Sequence, residues 1–154
     1  MSAAWPVPSV YSRSSVVLRT RFCETDLMGV IHHAVYLTYF EVARVEYVRR
    51  RGAGYAAWTE RGVHLAVAES RVRHKRPLRF DESVAIEVTL SELGRASMTF
   101  TYRIMRKDAP TEVVAEGDTL LATVGNDGAI RLMPDDLARS LCGAERSTGL
   151  DAQG

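Results

Sequence analysis

Two acids and two histidines crowd the stretch Glu24-Thr25-Asp26-Leu27-Met28-Gly29-Val30-Ile31-His32-His33. Placed beside the first backbone N–H groups of a helix, a carboxylate such as Asp26 can attack a carbonyl carbon or activate water toward it. The N–H groups, which collect partial positive charge, hold the carbonyl oxygen meanwhile. The same residues also fit a plainer role, with Asp26 capping a turn and the histidines lying on the surface. Cys23 could be a nucleophile with His32 or His33 as base; it also fits as a small buried residue at a strand end. Asp26, His32 and His33 could ligate a metal, but no third well-spaced ligand group joins them. Glu69 interrupts a small-apolar run and is either a second acid facing a pocket or a residue facing solvent or a subunit partner. Arg71, Arg73, His74, Lys75, Arg76 and Arg79 form a cluster basic enough to receive phosphates, or else a solvated strand end.

The flanking elements must position these groups. Val16, Leu18, Thr20 and Phe22 alternate with Val17, Arg19 and Arg21, which predicts a strand running into the acidic turn. From about His33 to Arg51 the period changes. Tyr36, Phe40, Ala43 and Tyr47 form one helical stripe, and Glu41, Arg44, Arg49 and Arg50 take other faces. Tyr36, Tyr39, Phe40 and Tyr47 read as helix core rather than as a ligand-stacking box. Three arginines and Gly52 close this helix, with cations toward the negative end of its dipole. A short second helix is expected over Tyr55 to Arg61.

Four strands follow in meander-like succession: Val63 to Lys75, a run around Val84 to Leu90, a run from Ala96 to Ile104, and Glu112 to Val124. Pro134 starts a last short helix, Asp135 to Leu141. The expected organisation is a loose lead over 1–14, one domain over 15–142 and a frayed tail over 143–154. One helix cannot cover both faces of such a sheet, so an antiparallel sheet must curl around it, an α+β arrangement. Its long edges invite pairing with a second copy.

Composition narrows the class. The chain has 154 residues, enough for one domain with a sizeable core. Lysine plus arginine is 20 against 19 acids, a net charge of +1, so a broad phosphate-contacting nucleic-acid surface is not expected. No run approaches the roughly 18 apolar residues of a membrane span, and Met1 to Ser15 lacks the pattern of a secretion signal. Cys23 and Cys142 are too few for a disulfide scaffold or a four-cysteine zinc site, and the reducing cytoplasm is the expected compartment.

The stretch from Arg21 through Leu37, followed by Phe40-Glu41-Val42-Ala43-Arg44, resembles the signature of the 4-hydroxybenzoyl-CoA thioesterase family, acyl thioesterases of the hot-dog fold. The similarity lies in an aspartate with glycine three residues on, histidine seven on and tyrosine ten on, and then the helix. Pro77, Asp81 and the turn Gly94-Arg95-Ala96-Ser97 also look like the family's. The resemblance implies that Asp26 is the catalytic carboxylate. It implies that His33 supplies a backbone N–H to the thioester carbonyl, its ring secondary. It further implies that Arg95 lies near CoA or pantetheine phosphates, for which Lys75, Arg76 and Arg79 offer a second basic patch. It implies an acyl-CoA or acyl-carrier-protein substrate, a homodimer or dimer-of-dimers tetramer with sites between subunits, and no metal or redox cofactor. His74 departs from the family, standing where many members have tyrosine. Two rival functions remain: a hot-dog enoyl-thioester hydratase or dehydratase, and a non-catalytic acyl-CoA-binding sensor.

Overall fold

The computed structural model describes residues 13–52 and 54–146. Strand β1 (Arg13–Arg19) leads through a single 3-10 turn (Phe22–Glu24) to the long helix α1 (Val35–Arg49) and the short helix α2 (Tyr55–Glu60). Strands β2 (His64–His74), β3 (Ser83–Leu93), β4 (Ser97–Arg106) and β5 (Ala109–Val124) follow, then helix α3 (Asp135–Leu141). The five strands form one antiparallel sheet in the order β1-β3-β4-β5-β2. This is the expected α+β arrangement.

Alternation along the strands decides which face is apolar. Val84, Ile86, Val88 and Leu90 of β3 and Met98, Phe100, Tyr102 and Ile104 of β4 all point inward and are buried. Tyr36, Tyr39, Phe40, Ala43, Tyr47 and Val48 of α1 meet them. The Phe40 and Tyr102 rings stack at 4.2 Å and 7°, and Tyr47 meets Phe100 edge-on. Gly117 of β5 lies under this stack. A Cβ there would collide with the Arg71 carbonyl and lie 2.8 Å from Phe40 Cε2. The helix can settle this deeply only because position 117 has no side chain.

Several expectations need correction. The strand succession is not a plain meander: β3, β4 and β5 are, but β2 pairs with β5. Residues 75–82 instead cross from the β2 edge of the sheet to the β1–β3 side, with Leu78 fully buried beneath them. β1 stops at Arg19 rather than running through Phe22, because the Arg21 N–H donates to the Glu24 carboxylate and starts a turn. Phe22 is exposed. Arg44, expected on an outer face, is 7% exposed. Arg51 is no surface cation either. It is buried, stacks on the Tyr47 ring at 3.6 Å, and donates to Ser14, Arg13, Tyr47 and Gly143. Of the stretch expected to fray, residues 143–146 are held: Glu145 accepts from Ser14 and Arg50, and the Arg146 N–H donates to the Arg50 carbonyl. The remainder of that stretch, and residues 1–12 of the lead, lie outside the described residues.

Gly117→Ala should therefore destabilise the fold by about 3 kcal/mol, the upper end of typical overpacking, because a backbone carbonyl cannot move aside as a side-chain tip can. Urea denaturation of the purified variant reads this directly; a loss below about 0.5 kcal/mol, within the range of neutral surface changes, would contradict it.

Candidate active site

The turn between β1 and α1 is a small hairpin of its own. Thr25 and Ile31 bridge, the Asp26 N–H donates to the Val30 carbonyl, and the Gly29 N–H closes onto the Asp26 carbonyl at 2.9 Å. Gly29 has φ +74°, the left-handed region that glycine adopts without strain. The Asp26 side chain folds over the turn, its Oδ1 accepting the Met28 N–H at 2.8 Å. Oδ2 has no hydrogen-bond partner among the described residues.

Two anchors hold the hairpin. The first is Glu24, only 7% exposed. Its carboxylate accepts from the Arg21 N–H at 2.7 Å, the Arg21 guanidinium at 3.3 Å and the Tyr39 hydroxyl at 2.9 Å. Burial, and then this bond to Glu24, push the Tyr39 phenol well above the ordinary tyrosine range, so it stays a donor. The second anchor is the crossing segment 75–82, whose Leu78 carbonyl accepts the Ile31 N–H at 2.8 Å. Buried Thr20 secures that segment by donating to the Arg79 carbonyl and accepting the Glu82 N–H. Asp81 takes φ +64° where the segment turns into β3, a conformation aspartate tolerates.

Helix α1 begins at Val35, two residues later than expected. The His32 ring accepts the Ala34 N–H through Nδ1 at 3.2 Å, which leaves its proton on Nε2. The Val35 N–H donates to the His32 carbonyl. The His33 N–H makes no hydrogen bond to the described residues. Beside it opens a cleft of about 340 Å³, lined by Asp26, His33, Tyr36, His74, Lys75 and Arg76 among others. That volume suits a small ligand or one end of a larger one. The cleft thus combines an uncommitted carboxylate oxygen with an N–H donor near the positive end of a helix.

The basic residues divide. Lys75 and Arg76 stand at this cleft, paired with Glu116 at 3.1 Å and Glu112 at 2.7 Å. These pairs are largely exposed and therefore weakly held in salt. Arg79 reaches the back of the turn, its Nη1 3.8 Å from where a Gly29 Cβ would sit. Arg95 is not brought here. It lies in the β3–β4 turn at the opposite end of the sheet, roughly 30 Å from this end of β3 at about 3.3 Å per residue. Glu69 is exposed beside a bulge in β2. Cys23 is exposed, not buried at a strand end, because the strand has already ended. No group of three or more potential metal-ligating side chains occurs among the described residues. Sequence reasoning did not single out Glu24 as an anchor, although the Arg21–Glu24 spacing of a capping box was available as a signal.

One long helix packed on a five-stranded antiparallel sheet in the order β1-β3-β4-β5-β2 is the hot-dog fold. The chain belongs to the thioesterase superfamily, whose family model matches residues 28–113, a segment that begins two residues after Asp26. A putative esterase of Aquifex aeolicus is 32% identical over 135 residues, covering 88% of this chain and 98% of that one. The acyl-CoA thioester hydrolase YbgC of Escherichia coli O6:H1 is 27% identical, covering 80% and 89%. The crystal structure of hypothetical protein TT1821 from Thermus thermophilus superposes with a TM-score of 0.78 at 35% identity, covering 83% and 96%. The chain is accordingly a thioester hydrolase. No helix among the described residues is long and apolar enough to cross a membrane.

The His74 imidazole meets the Tyr36 ring edge-on at 4.7 Å. It is held below the ordinary histidine value of 6.5, first by burial and then by His33. Protonation therefore favours the unfolded chain, and any stability His74 contributes is complete above 6.5 and is lost as pH falls from there through the lower folded-state value. NMR titration should show a His74 midpoint below that of a free histidine. In His33→Ala the midpoint should rise only part of the way back, since burial remains; an unchanged midpoint would show that the two rings are not coupled.

Proposed function

We propose that the protein hydrolyses acyl-CoA thioesters to the free acid and thiol through Asp26. The observation that carries this is the pairing of the unbonded Asp26 Oδ2 with the unbonded His33 N–H on one cleft. The thioester carbonyl oxygen accepts from that N–H, where the helix dipole favours developing negative charge. Asp26 then attacks the carbonyl carbon to give an acyl anhydride that water opens, or it takes a proton from a water that attacks directly. On either route the carbon–sulfur bond breaks, the thiolate takes up a proton, and water supplies the new oxygen of the acid. His33 acts chiefly through its backbone, its ring secondary.

Lys75 and Arg76 border the cleft, with Arg79 behind the turn, and suit the phosphates of CoA or the phosphopantetheine of an acyl carrier protein. The likeness to an acyl-CoA hydrolase favours CoA. Arg95 can join this site only from a second subunit. Such an assembly is supported by the unpaired β2 edge with its exposed Val67, and by exposed Phe22, Leu27, Met28 and Phe80 around the turn. We therefore read the working unit as a dimer or a dimer of dimers, which light scattering at micromolar concentration should show; an active monomer would contradict it.

Asp26→Asn should lower acyl-CoA hydrolysis by at least about 10²-fold, the lower end for lost acid–base catalysis, with the fold retained. His33→Ala should cost less, and Cys23→Ala should leave most activity. Near-native turnover by folded Asp26→Asn would overturn the reading. A larger loss at His33 than at Asp26 would make the imidazole the principal acid or base, as a hydratase needs, and product analysis on an enoyl thioester would separate the two.

A further inference from the structure

A second cavity, of about 250 Å³, opens between the later turns of α1, helix α2 and the His64 end of β2. It shares no lining residue with the Asp26 cleft. Along α1 alone, Arg44 lies about 14 Å beyond Val35 at 1.5 Å per residue. Arg44 contributes to this cavity a guanidinium that is 7% exposed. Nη1 donates to the Tyr102 hydroxyl at 3.1 Å and reaches Thr119 Oγ1 at 3.5 Å, both neutral groups. No carboxylate among the described residues lies within ion-pair distance of it. The Tyr55 hydroxyl is its third polar neighbour, also neutral. Tyr55 lines the same cavity, and its hydroxyl oxygen is sealed from solvent, with Arg44 as its polar neighbour. Burial pushes that phenol up to about 12, so it remains a donor.

A buried cation whose partners are all neutral hydroxyls, with no counter-charge, is costly. Here Arg44 and Tyr55 lie side by side in the wall of one cavity. The remaining walls include Val63, Leu65 and Leu121, which are apolar. Glu41, at the same cavity, disfavours a dianion. A guanidinium fork matches a carboxylate in shape and charge.

We propose that the Arg44–Tyr55 cavity binds a small monocarboxylate with an apolar body, its carboxylate on the Arg44 guanidinium and the Tyr55 hydroxyl. The site is separate from the cleft that carries Asp26. Its ligand belongs to the chemical class that thioester hydrolysis releases, so the product acid can return to the enzyme at a second place.

The test uses 4-fluorobenzoate with the full-length protein, by fluorine NMR and calorimetric titration. Wild type and Asp26→Asn should bind it equally. Tyr55→Phe, which keeps the ring against Trp58 and removes only the hydroxyl, should weaken binding about tenfold, the scale of one hydrogen bond to a charged group. Arg44→Met should abolish binding, and neutral 4-fluorobenzamide should bind at least about tenfold more weakly than the acid. Absence of binding to folded wild type would overturn the proposal and leave the cavity to water. So would equal affinity in Tyr55→Phe, or loss of binding in Asp26→Asn, which would assign the ligand to the Asp26 cleft. Should Arg44→Met fail to fold, the Tyr55→Phe and benzamide comparisons decide alone.

Discussion

The buried carboxylate of Glu24 is the fixed point of the turn that carries Asp26. An ionised group is tolerated at such low exposure only if its oxygens are bonded, and three donors converge on it: the Arg21 N–H, the Arg21 guanidinium and the Tyr39 hydroxyl. Arg21 lies two residues beyond the end of β1, and Tyr39 sits one turn into α1. One side chain therefore fixes the distance between strand and helix, and the hairpin bearing Asp26 is suspended between them. The Glu24 carbonyl also accepts the His32 N–H at 2.8 Å, so both strands of the hairpin register against the same residue. An aspartate on an exposed turn would otherwise sample many positions, and loose geometry is expensive in catalysis.

Much of this was legible in the sequence, for a definable reason. Alternation along β3 and β4 and the Tyr36-Phe40-Ala43-Tyr47 stripe report which way neighbouring side chains face, and that is a local property. The spacing from Asp26 to Gly29, His33 and Tyr36 is local too, and it marked the turn at which the cleft lies. Pairing between distant segments is not local. The exchange of β3 for β5 as the partner of β2 left no trace in periodicity, although Pro77 and Asp81 lie in the segment that makes the crossing.

Charged residues were the commonest source of error. Periodicity places Arg44 on an outer face of α1, and the helix dipole accounts for a cation at Arg51. Their acceptors come from far along the chain: Tyr102 and Thr119 for Arg44, Ser14 and Gly143 for Arg51. Glu24 differs, since one of its partners is its near neighbour Arg21, and only the contribution of Tyr39 required the tertiary fold. Composition records none of these pairings, and an arginine-rich chain offers many candidates of which few are buried.

The strand order also carries a kinetic consequence. β3, β4 and β5 are joined by short turns and can pair early, because closing a short loop is fast and entropically cheap. β1 must find β3 across the whole of α1, α2 and β2, with Arg13 opposite Thr89. β2 likewise waits for β5, with His64 opposite Val124. Such long separations place the protein among the slower-folding single domains. The hairpin carrying Asp26 is continuous with β1 and rests on the segment leaving β2, so it acquires its shape only when both edge strands have docked. Topology thus places completion of the Asp26 cleft late in folding.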